Sequence, residues 1–202
     1  MDIRTSKLHP SQFYHIFNRG INGCEVFFEE KNYAFFLKRY AKYVSPFADT
    51  YAYCLLNNHF HLLIQVKSEE ELLSAISART DQPLYWFVSN AFSSFIQSYT
   101  RAMNKVYSRT GPLFENPFKR IEVCDDHYFT ALIAYIHRNP MKHGLTEDFK
   151  KYVHSSYRTQ LSNAPTKLKR QEVLNWFGAK NEYIAFHEID KGQPLNSAWM
   201  LE

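Results

Sequence analysis

Two apolar runs on either side of a two-residue turn, Thr50 to Leu56 and His59 to Val66 around Asn57-Asn58, constrain this chain more than any other feature. The asparagine pair suits a tight turn, so the segment predicts a β-hairpin. Its second run begins His59-Phe60-His61 and continues into Leu62-Leu63-Ile64-Gln65-Val66, which reads as a buried strand. Side chains alternate across a strand, so both imidazoles leave one face while Phe60 leaves the other. That geometry suits a metal ion.

Other elements fall into place around this hairpin. Phe13 to Asn18 has strand character and ends at Arg19-Gly20-Ile21-Asn22-Gly23, and Glu29 to Tyr43 carries Tyr33, Phe36, Leu37 and Tyr40 at helical spacing. Lys67 to Pro83 reads as a polar excursion, with Glu69-Glu70-Glu71 resembling a helix start and Asp81-Gln82-Pro83 interrupting it. Leu84 to Tyr107 predicts a long amphipathic helix, the prolines of Thr110 to Pro117 a loop, and Phe118 to Val123 a short strand. Asp125-Asp126 caps a helix expected to run to Asn139, stopped by Pro140 and Gly144. The first six elements give a ferredoxin-like βαββαβ order, an α+β fold with an antiparallel sheet, helices on one face and a seventh element closing over it. A catalytic domain over 1–158 and a helical extension over 159–202 are expected, the latter with helical segments at Gln171 to Phe177 and Glu182 to Ile189.

Composition narrows the function classes. At 202 residues and 45% hydrophobic content the chain can bury one ordinary core. Lys and Arg exceed Asp and Glu by 24 to 20, a mild basic bias that permits a nucleic-acid partner without requiring one. Seventeen Phe and fourteen Tyr either fill an aromatic-rich core or leave some rings to stack on bases. Cys24, Cys54 and Cys124 match neither a disulfide framework nor a zinc motif and are read as buried thiols. No leader-like or bilayer-length apolar segment is visible, so a cytoplasmic protein without a membrane partner is expected.

The second informative segment is Ala134-Tyr135-Ile136-His137-Arg138-Asn139-Pro140. Tyr135 and Asn139 stand four apart and share a helical face, so a phenol and an amide can meet the two histidines. Imidazole plus a carbonyl oxygen is a mixed donor set that accepts Mg2+ or Mn2+ when water and phosphate oxygens complete the shell. Zinc would need a third imidazole or thiolate; His15, His127, His137 and His143 are candidates without motif support. A tyrosine beside such an ion can attack phosphorus and conserve the bond energy as a phosphotyrosine, with no nucleotide cofactor. Each piece also has a plain structural explanation: histidines facing solvent, Tyr135 as a core ring with Tyr128 and Leu132, and Asn139 as a helix end before Pro140.

The conjunction resembles a known family. Asn58-His59-Phe60-His61-Leu62 looks like the His-hydrophobic-His (HUH) motif of the single-tyrosine transposases, and Tyr135 to Leu145 resembles the Tyr-x-x-x-Asn-Pro-x-x-x-Gly signature of their REP-associated branch. Asn18-Arg19-Gly20, Gly111-Pro112-Leu113-Phe114 and Ser155-Ser156-Tyr157 extend the resemblance over roughly residues 10 to 158. The resemblance implies a ferredoxin-like catalytic domain, a divalent metal, and cleavage of single-stranded DNA that leaves a 5′ phosphotyrosine and a free 3′ hydroxyl. Tyr135 would be the nucleophile, His59 and His61 metal ligands, and Asn139 the third ligand, where other members use glutamine. It further implies hairpin (palindromic repeat) DNA ends and a monomer rather than a homodimer. Arg19, Arg101, Lys105, Arg109, Lys119, Arg120, Arg138 and Lys142 are candidate DNA contacts, while Lys167 to Arg170 reads as a solvated charge run. Two other classes compete: a catalytically silent or host-adopted DNA-binding descendant, and a metal hydrolase that uses water.

Overall fold

The computed structural model describes residues 5–76 and 81–189. Four strands, β1 (Phe13–Arg19), β2 (Ala48–Leu56), β3 (His59–Val66) and β4 (Lys119–Val123), form one sheet in the order β2-β3-β1-β4. Every pairing is antiparallel. This is the strand order that two interleaved βαβ crossovers produce, and the ferredoxin-like expectation holds.

The helices α1 (Glu30–Tyr43) and α3 (Leu84–Val106) make those crossovers and cover one face. Buried Phe92, Phe95, Tyr99 and Met103 of α3 follow the helical period and meet Phe36 and Tyr40 of α1 over Ile16, Phe60, Leu62 and Ile64. The seventh element, α4 (Asp126–Lys142), lies on the opposite face, where Leu132, Ile133 and Ile136 pack on Cys54, Leu56 and Leu63. A sheet covered on both sides hides residues in both directions, which is why β3 is buried along its length except at Gln65, His59 and His61 included. Most aromatic rings are consumed by these two cores.

Both sheet edges are occupied. Leu55 donates to the His154 carbonyl and Ser156 to the Tyr53 carbonyl along β2, and Thr5 bridges Arg120 on β4. The Ser155-Ser156-Tyr157 segment therefore covers an edge strand and leads into α5 (Tyr157–Leu161). Beyond it, α6 (Arg170–Phe177) and α7 (Lys180–Glu188) bury Val173, Tyr183 and His187 in the α4 core.

Several expectations need correction. A helix, α2 (Glu69–Ile76), stands inside the supposed polar excursion, held at its start by Glu71, whose carboxylate accepts from the Ser68 amide and pairs with Lys67. Residues 77–80 of that excursion lie outside the described residues. Pro140 does not stop α4, which continues to Lys142; Gly144 does, at φ +66°, with Leu145 N–H on the Pro140 carbonyl and Gly144 N–H on the Met141 carbonyl. That bond pair is a Schellman ending, which needs a left-handed residue at the Gly144 position. Among the cysteines Cys54 alone is buried; Cys124 is exposed because it follows the last residue of β4, past the shelter of the sheet. Of the Lys167 to Arg170 run, Lys167 is exposed as expected, but Lys169 pairs with Asp49 and Glu172 and Arg170 donates to the Thr159 and Ala164 carbonyls. No helix among the described residues is long and apolar enough to cross a membrane.

Candidate active site

Strand register brings the histidines together. Phe17 of β1 pairs with His61 and Arg19 with His59, so His15, Phe17, His59 and His61 share the sheet face that α4 covers. His61 is 3% exposed and His59 7%. Each is held through Nδ1: His59 lies 2.6 Å from Asn58 Oδ1, and His61 lies 2.9 Å from His15 Nε2.

The helix supplies the facing groups. Asp125 caps α4 by accepting from the Tyr128 amide, fixing where the helix starts and which side chains turn to the sheet. Tyr135 is half-buried and stands edge-on to His61, ring centroids 5.7 Å apart, and to His15 at 6.3 Å. Two turns later the His143 ring lies 4.7 Å from His59. Asn139 is one turn from each, on the same helical face.

A cavity of about 260 Å³ opens beside this meeting point, lined by Phe17, Asn18, Arg19, Asn58, His59, Phe60, His61 and His143. The loops around it are tightly laced. Gly20 N–H donates to the Asn58 carbonyl at 2.7 Å, Val26 N–H to Asn57 at 2.7 Å, and Glu115 N–H to Arg19 at 2.8 Å. Any Cβ on Gly20 would run into the Cys24 carbonyl, so the glycine of Asn18-Arg19-Gly20 is set by close backbone approach.

The residues present fit a divalent ion with an incomplete protein shell. Asn139 is 1% exposed, yet neither Oδ1 nor Nδ2 has a hydrogen-bond partner among the described residues. Leaving such a group unmatched costs about 1–3 kcal/mol, which a ligand could offset. Among the described residues no three His, Cys, Asp or Glu side chains gather closely enough to hold an ion. Two imidazoles and one amide oxygen are the donors on offer, with outside oxygens needed to complete the set.

Of the remaining histidines, His137 faces away from the site. It is fully buried between His187 (Nδ1 to Nε2, 2.9 Å) and the Ser156 hydroxyl (2.6 Å), and Tyr183 Oη lies 3.2 Å from its Nδ1. Burial holds His137 well below the usual histidine range, and lowers His187 to about 4. The His127 side chain lies outside the described residues. Burial, with Tyr135 and Asp125 close by, raises Tyr128.

The candidate DNA contacts separate into groups. Arg19 lines the cavity, the Lys142 ammonium sits 5.4 Å from the Tyr135 ring centroid, and Lys119 pairs across β1 with Phe17. Arg101 and Lys105 are exposed near the end of α3, and Arg109 packs its guanidinium over Phe28. Two are committed elsewhere: Arg120 donates to the Ser6 carbonyl at 2.7 Å, and Arg138 to the Ile189 carbonyl at 2.9 Å. Asn58, Phe17 and Asn18 were not singled out as site residues from the sequence, and His15 and His143 had no motif behind them. Alternation along β1 was the available signal for His15 and Phe17, but its pairing register with β3 was not.

No protein-family model matches the chain. A curated protein of Haemophilus influenzae described as "Putative REP-associated tyrosine transposase" is 28% identical over 115 residues, 55% of this chain. The chain matches 60% of the length of that relative. Among solved structures, a REP-associated tyrosine transposase bound to a REP hairpin superposes with a TM-score of 0.62 at 13% identity, over 80% of this chain and 87% of the other. In sequence and in fold, the chain is similar to the REP-associated tyrosine transposases.

Proposed function

We propose that this protein is a metal-dependent DNA strand transferase that cleaves single-stranded DNA beside a hairpin and rejoins it through a 5′ phosphotyrosine. The observation that carries this reading is the approach of Tyr135 to His61 across the helix–sheet interface, with the ring edge toward the imidazole. The Tyr135 oxygen attacks phosphorus and the 3′ oxygen leaves. The phenol proton is lost to solvent and the leaving oxygen gains one, so the phosphodiester is exchanged for a phosphotyrosine ester of similar energy. A 3′ hydroxyl from another end reverses the step, and no nucleotide cofactor is consumed.

Divalent Mg2+ or Mn2+, held by His59, His61 and Asn139, would polarise the phosphodiester when bound. The chain's own groups do the rest. Lys142 places a positive charge over the Tyr135 ring, where it favours the incoming phosphate. Arg19 at the cavity and Lys119, paired with Phe17, offer the strand positive charge near the site, and the exposed Arg101 and Lys105 near the end of α3 add charge farther along the surface. Tyr135 meets histidines of its own chain, which supports cleavage by a monomer. Residues 1–158 would form the catalytic domain and 159–202 an extension, whose described part up to residue 189 packs on α4. The hairpin in the solved relative supports a hairpin substrate here.

The test is a single-stranded hairpin oligonucleotide incubated with the protein and Mn2+. The wild type forms a protein–DNA adduct stable to denaturation, and Tyr135→Phe forms none. An adduct retained by Tyr135→Phe refutes the nucleophile; binding without any adduct in the wild type supports the silent DNA-binding alternative; turnover without adduct supports a water-using hydrolase.

A further inference from the structure

The two motif imidazoles are each engaged at the same ring nitrogen. Asn58 Oδ1, which can only accept, lies 2.6 Å from His59 Nδ1, so that nitrogen carries the proton. His15 Nε2 lies 2.9 Å from His61 Nδ1, and His15 is fully buried beneath α4. This pair can be arranged two ways. A proton on His15 Nε2 would leave His61 protonated at Nε2 and useless as a ligand there. A proton on His61 Nδ1, accepted by His15, would put the ring's lone pair on Nε2, as at His59.

We infer that His15 and Asn58 are positioning residues that lock His61 and His59 in the Nδ1–H tautomer, so that both present Nε2 lone pairs to one ion. The inference rests on the reading of His59 and His61 as metal ligands, and it adds the groups that choose the ligating atom. Partners of this kind orient ligating histidines and raise their basicity, and losing one typically weakens metal binding about 10–100-fold. The strand register explains why His15 serves His61: it stands two residues before Phe17, which pairs with His61, and so lies diagonally across the same face.

Long-range 1H–15N correlation spectra of the metal-free, full-length protein test this directly. Both His59 and His61 are expected as Nδ1–H tautomers. In His15→Leu, His61 is expected to return to the Nε2–H form that free imidazole prefers, with Mn2+ affinity down about 10–100-fold. In His15→Gln the amide oxygen can accept from Nδ1 and should restore both tautomer and affinity. A wild-type His61 in the Nε2–H form overturns the proposal whatever the variants do, and an unchanged tautomer in His15→Leu overturns it as well. The expected tautomers without Mn2+ binding by the wild type would uphold the lock and defeat the metal reading. Tight Mn2+ binding with the wrong tautomer would do the reverse.

Discussion

Tyr135 and His61 meet with ring planes at 84° and centroids 5.7 Å apart, although 74 positions separate them in the chain. One comes from a helix and the other from a central strand on the face that helix covers. Small shifts of α4 along the sheet would part them, so everything that seats α4 bears on the site.

Asn139 is where stability and function should diverge. Asn139→Leu keeps the shape and removes a buried amide that has no partner among the described residues. Unfolding free energy is expected to stay level or rise by about 1–3 kcal/mol in chemical denaturation. Mn2+ affinity, followed by calorimetry, should fall. A loss of stability would mean that the amide is structurally matched.

Lys142 should tune the nucleophile rather than the fold. Its ammonium lies over the Tyr135 ring from an exposed position. Lys142→Met should slow adduct formation about tenfold, equivalent to about 1.4 kcal/mol in the barrier, and Lys142→Arg should restore most of the rate. Thermal unfolding of both variants should match the wild type.

The basic residues should sort by what already holds them. Arg101→Ala and Lys105→Ala remove exposed charges, and if each neutralises one phosphate the slope of log affinity against log salt for a hairpin oligonucleotide should fall by about one apiece. Arg120→Ala should leave that slope unchanged and lower stability instead, because it removes the donor to the Ser6 carbonyl.

Acid should loosen the extension's hold on α4. His187 is lowered to about 4, chiefly by burial, with Arg138 adding repulsion; His137 is held well below the usual histidine range by burial and by His187. Both are neutral in the folded protein, whereas in the unfolded chain they take up protons near the ordinary histidine value. Their contribution is therefore complete at pH 7 and lost as pH falls toward 4. By pH 5 the His187 term alone amounts to about 2 kcal/mol. Denaturation midpoints at pH 7 and pH 5 should show the drop, and His187→Leu should show less of it.

Periodicity and turn chemistry alone determined the order of the four strands and of the helices α1, α3 and α4, though not α2: the Asn57-Asn58 hairpin, the helical stripe of α3 and the Asp125 cap each rest on contacts within a few residues. Motif spacing likewise picked out His59, His61, Tyr135 and Asn139, since a two-residue and a four-residue repeat each fix a shared face. Local chemistry misjudged the run through Pro140, where one missing N–H near a helix end was outweighed by the Gly144 turn beyond it. Only the tertiary structure decided that α4 lies opposite α1 and α3, that His15 backs His61, and that His137 turns inward to His187. Those outcomes depend on which strands pair, in what register, and which apolar stripe finds which sheet face. Such long-range choices are set by the burial of the whole chain, and no window of sequence contains them.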